Sequence, residues 1–89
     1  MEKEKVLETI KQLNDISDQM YKGEVLRGMA KMDSVILSLS SILGCMSEEQ
    51  QISFMSDSLK PALEAMEQRD GTMLADIISY EMIPVLEQL

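Results

Sequence analysis

Apolar side chains recur along this chain in steps of three and four residues, the repeat of a helix that buries one face. From Glu2 to Tyr21 the apolar row is Val6, Ile10, Leu13, Ile16 and Met20. Lys22-Gly23 then places a cation in the last turn and a glycine where a left-handed C′ residue ends a helix. From Glu24 onward, Met29, Met32, Ile36, Leu39, Leu43 and Met46 alternate steps of three and four, a heptad seam with Gly44 as its stop. Ser34, Ser38 and Ser41 form a small-residue stripe beside that seam, read as a solvated or closely packed face.

A third pattern opens at Ser47. Ser47-Glu-Glu-Gln50 is a capping box, and Glu48 and Glu49 suit the positive end of the helix dipole. The expected seam is Ile52, Met55, Leu59, Ala62 or Leu63, and Met66, with Pro61 inside it and a bend there. Arg69-Asp70-Gly71-Thr72 is a turn in which Asp70 or Thr72 is the next N-cap. The fourth pattern carries Leu74, Ile77, Ile78, Met82, Val85 and Leu89, and Pro84 is expected to bend it near its end. Pro61-Ala-Leu-Glu-Ala-Met and Pro84-Val-Leu-Glu-Gln-Leu echo one another, a hint that the third and fourth helices repeat.

The pattern thus predicts helices over about residues 2–21, 24–44, 48–69 and 71–88. Similar lengths and short turns make neighbours antiparallel, so the expected architecture is all-α, an up-down four-helix bundle. The alternative is a long first helix bent at Gly23, with dimerisation completing the bundle.

Composition narrows the class. Eighty-nine residues make one domain. Nine methionines and 3% aromatic residues suit helices better than strands. Met20, Met29, Met32, Met46, Met55, Met66 and Met82 fall on the expected inner faces, as core filling or as an adaptable groove. Cys45 is alone, which fits a reducing compartment, and is expected to be a buried or half-buried residue at a helix end. Glu-Lys-Glu-Lys after Met1 lacks the apolar region of a signal peptide, and the apolar run from Val35 to Met46 is too short to span a bilayer. The expectation is a cytoplasmic protein.

The net charge of −8 is uneven: six acids face two bases between Ser47 and Asp70, and three acids face none from Gly71 on. Neither nucleic acid nor an anionic membrane finds its basic footprint here. Without histidine there is no Ser-His or Cys-His dyad and no Glu-x-x-His di-iron motif. One cysteine forms no thiolate zinc site, and no phosphate-binding glycine loop or calcium loop is present. The reading is a non-enzymatic chain with no catalytic residue, no cofactor, no metal and no small-molecule substrate.

What stands out instead is the stretch from Thr72 to Leu89, where no base occurs and apolar side chains cover most of the circumference. On a regular α-helical wheel Glu81 falls among Ile77, Ile78 and Val85, a costly place for a carboxylate without a partner. Ile77, Ile78, Glu81, Met82 and Val85 are therefore the expected partner-binding residues. The partner is either a helix of another protein or a second copy of the chain.

The segment Asp70 to Leu89 also resembles a recurrent tail in small helical proteins and appended domains of Gram-positive bacteria, especially clostridia. The matching features are Asp70, Leu74-Ala-Asp-Ile-Ile78, Tyr80-Glu81 and Pro84-Val-Leu86. Tyr21-Lys22-Gly23 followed by an amphipathic helix is similar to that family's first turn. Some of its members lie near motility genes or beside motility-associated glycosyltransferases. The resemblance implies a bacterial helical interaction domain, adaptor or chaperone-like, with a link to motility and no catalytic residues. The tail usually ends in a bulkier aromatic where Leu89 stands here. The second functional expectation is a purely structural homodimeric bundle.

Overall fold

The computed structural model describes residues 2–89. Among them are four helices and no strand, in the antiparallel up-down bundle that the pattern predicts. Helix α1 is Glu2–Tyr21 and α2 is Val25–Leu43. Helix α3 joins an α segment Glu48–Phe54, a π turn Met55–Leu59 and an α segment Lys60–Glu67. Helix α4 has the same build: Gly71–Ile77, a π turn Ile78–Met82, then Ile83–Glu87.

The chain turns after α1 rather than continuing as one long helix. Gly23 takes φ 84°. The Glu24 amide donates to the Gln19 carbonyl at 2.8 Å and the Gly23 amide to Met20 at 3.1 Å, the two bonds of a Schellman motif. The end of α3 repeats the motif without a glycine. Arg69 takes φ 54°, with Asp70 donating to the Ala65 carbonyl at 2.8 Å and Arg69 to Met66 at 3.1 Å. Ser47 caps α3 through the full capping box, and Asp70, not Thr72, caps α4 by accepting from the Met73 amide at 3.0 Å. The open end of α2 is closed from across the turn: the Gln51 side-chain amide donates to the Leu43 carbonyl at 2.7 Å. Cys45 lies exposed in that turn, contrary to the expectation of burial.

Each proline is met one turn early. In α3 the Lys60 amide donates five residues back, to Met55; in α4 Ile83 donates to Ile78. A π turn accommodates one extra residue, so the chain passes proline while its backbone angles stay helical on either side. The two helices repeat at one offset: caps at 47 and 70 (70 − 47 = 23), π turns from 55 and 78 (78 − 55 = 23), prolines at 61 and 84 (84 − 61 = 23).

Helix α1 is the centre of the bundle, packing along α2 on one side and α4 on the other, while α4 also packs along α3. The backbones of α2 and α3 approach each other only sparsely. Leu13, Ile16, Met32, Leu39, Leu74, Ile78 and Met82 are fully buried in one continuous core. Met20 anchors the turn end, lying against both Gly28 and Gly71 where a β-carbon would meet its side chain. Two polar contacts tie α1 to α4: Ser17 and Ser79 hydroxyls at 2.9 Å, and the Tyr21 hydroxyl donating to Asp76 at 2.7 Å.

Candidate functional site

The residues expected to bind a partner through α4 do not form one surface. Ile78 and Met82 are fully buried and Ile77 nearly so, all three in the core. Glu81, expected inside the apolar sector, is exposed, and Val85 is half-buried. The π turn is the cause. Its wider turn advances each residue by less rotation than an α-helix does. Ile78, Met82 and Leu86 therefore stay in one inward row at steps of four, and Glu81 swings to the flank. Leu89, also expected inside, is exposed because the helix ends at Glu87, two residues before it. Glu81 and Val85 instead line a surface cavity of about 320 Å³ between α3 and α4, with Phe54 at its base and Glu49 and Asp57 around it. That cavity carries three carboxylates and no cation. Among the described residues, no three His, Cys, Asp or Glu side chains converge to hold a metal ion.

Helix α3 departs from the sequence reading in the opposite sense. Its buried residues are Phe54, Ser58, Ala62 and Ala65, whereas Ile52, Met55 and Leu63, expected inside, are 64%, 54% and 50% exposed. Leu59 and Met66 are half-buried between the two faces. The internal repeat makes the contrast plain. Met55, Leu59 and Leu63 correspond, 23 residues on, to Ile78, Met82 and Leu86, which are 0%, 0% and 1% exposed. The row that is core in α4 is open in α3 at Met55 and Leu63 and half-buried at Leu59.

Helix α2 shows a milder version. Its buried residues are Gly28, Met32, Val35, Leu39 and Ile42. Met29, Ile36 and Leu43 from the expected seam are only half-buried, together with Val25. Apolar residues cover both rows, so spacing alone did not say which turned inward.

The two open rows lie on adjoining flanks. The opposite flank of α2, with Lys31, Ser34 and Val35, forms a cavity of about 310 Å³ with Gln12, Asp15 and Ile16 of α1. The opposite flank of α3, with Glu49, Ser53 and Asp57, faces α4 across the cavity above. Each helix of a four-helix bundle has two neighbours. The flanks left over, α2 with Met29, Ile36 and Leu43 and α3 with Met55, Leu59 and Leu63, therefore adjoin along the weakly closed side. Exposed charges border them: Glu48 one turn before Ile52, Glu64 and Glu67 beside and one turn after Leu63, and Asp33 one turn after Met29. Lys60 is the cation on the α3 border.

Residues 2–89 match a protein family described as a domain of unknown function, DUF8042. The chain belongs to the DUF8042 family. The match spans all four helices, so the open α2–α3 flank and the repeated π turns both lie within the DUF8042 domain. No curated protein and no solved structure matches the chain. No helix among the described residues of this DUF8042 domain is long and apolar enough to cross a membrane.

Proposed function

We propose that this DUF8042 domain is a non-enzymatic interaction module, an adaptor or chaperone-like protein, that receives a helix of another protein along the open flank of α3. The observation that carries the reading is the row Met55, Leu59 and Leu63, left open where its repeat in α4 is core. Met55 and Leu63 are exposed with half-buried Leu59 between them, and exposed apolar patches rimmed by polar residues mark interaction sites. The Ile77, Ile78 and Met82 face is withdrawn from this role because it is already covered.

The finer reading is of a cytoplasmic bacterial protein with a link to motility. Its supports are the single cysteine and the resemblance of the Asp70–Leu89 segment to clostridial helical tails.

Cross-linked capture from cells tests the module. Wild type and Leu7→Ser, altered at an exposed leucine of α1, are expected to retain the same partner, and Ile52→Ser/Leu63→Ser to lose it while staying folded. If the α3 variant retains everything that wild type captures, the module reading is wrong.

A further inference from the structure

We infer that the occupant of the open flank is an amphipathic helix carrying Lys or Arg on either side of its apolar face. This rests on the interaction-module reading and adds the chemistry of the partner.

Shape points to a helix. Met55, Leu59 and Leu63 stand at steps of four, the ridge that packs into the grooves of another helix. Met and Leu are unbranched at Cβ, and Met in particular adapts to side chains it was not moulded around. With Ile52 before the row and half-buried Met66 after it, the apolar flank runs from residue 52 to 66, about 21 Å of helix, so a partner of about 18 residues, or ~27 Å, spans it.

Charge selects which helix. Glu48, Glu64, Glu67 and Asp33 border the flank against Lys60, and all five are exposed. A second copy of the chain would bring another −8 to a molecule already at −8. Self-pairing therefore works against the net charge, whereas a basic helix is drawn to the rim, held in register by it and speeded in its approach. Nucleic acid and anionic lipid meet the same repulsion as a second copy.

The test uses the full chain and two labelled synthetic peptides of about 18 residues. One has leucines at helical spacing flanked by lysines; its twin has glutamate for every lysine. Fluorescence anisotropy is expected to give micromolar binding of the lysine peptide and at least ~10-fold weaker binding of the twin. Raising the salt, which shortens the screening length from ~30 Å at 0.01 M to ~8 Å at 0.15 M, weakens the lysine peptide. Ile52→Ser/Leu63→Ser reduces its affinity at least ~10-fold, and Glu64→Lys/Glu67→Lys narrows or reverses the preference between the peptides.

Equal binding of the two peptides, or binding of neither, overturns the basic-helix inference. So does a stable dimer by light scattering that Ile52→Ser/Leu63→Ser converts to monomer, since the occupant is then a second copy. Loss of captured partners in the α3 variant, alongside peptides that fail to discriminate, leaves the module standing and removes only the basic chemistry.

Discussion

Arg69 and Tyr21 show how single residues carry consequences beyond their contacts. Arg69 holds φ 54°, a conformation in which a β-carbon is crowded by the backbone and glycine is not. Its neighbour in design, Gly23, performs the same task without that cost. Arg69→Gly is therefore expected to stabilise the fold by about 0.5–1 kcal/mol in denaturant titration, the relief of strain exceeding the entropy that glycine adds to the unfolded chain. Tyr21 donates its hydroxyl proton to the Asp76 carboxylate, and that bond raises its pKa above the ordinary 10.0, with Ser79 pulling the other way. A proton held more tightly in the folded state adds stability below the ordinary tyrosine pKa and loses it as pH rises through the raised value. In a Tyr80→Phe background, where Tyr21 is the remaining tyrosine, tyrosinate absorbance is expected to titrate on the alkaline side of 10.0, and Asp76→Ala to move it back.

At the scale of the helices, the π turns set which side chains face the core. A π turn is one residue inserted into an α-helix, and here each insertion lies just before a proline. If the insertion exists to accommodate the ring, removing it alone restores the clash. Deleting exposed Tyr80 is expected to destabilise the protein by about 3 kcal/mol, the cost of proline inside a regular helix. The same deletion combined with Pro84→Ala is expected to recover most of that loss, because the regular helix keeps Ile78 and Leu86 facing inward. Equal thermal midpoints for the single deletion and the combined variant would show that the turn and the proline are unrelated.

For the whole molecule, the buried row of α4 and the open row of α3 predict opposite outcomes for equivalent changes. Ile78→Glu puts an unpaired carboxylate in a fully buried site and is expected to unfold the domain, a small one with about 5 kcal/mol to lose. Leu63→Glu, on a side chain half in solvent, is expected to change stability by less than ~0.5–1 kcal/mol. Circular dichroism melts of the two variants decide it. A large loss at Leu63 would mean that α2 covers α3 in solution, and the proposed face would no longer be open.

The helices themselves were legible in the sequence because their signals are local. The capping box at Ser47, the glycine stop at Gly23 and the three-four spacing of Val6, Leu13, Ile16 and Met20 act within one or two turns, so the chain by itself determined four antiparallel helices. The echo around Pro61 and Pro84 was legible too, and it became a repeat of cap, π turn and proline. The inward faces were not legible in α3 and α4. A regular wheel assumes one rotation per residue, and the π turn of α4 breaks that count, which moved Glu81 out and brought Leu86 in. Nor could spacing choose between two apolar rows on one helix. Whether Met55-Leu59-Leu63 or Phe54-Ser58-Ala62 turned inward depended on α4 lying against one flank of α3 and on how weakly α2 closes the other. That is a property of packing between distant segments, and only the tertiary structure decided it.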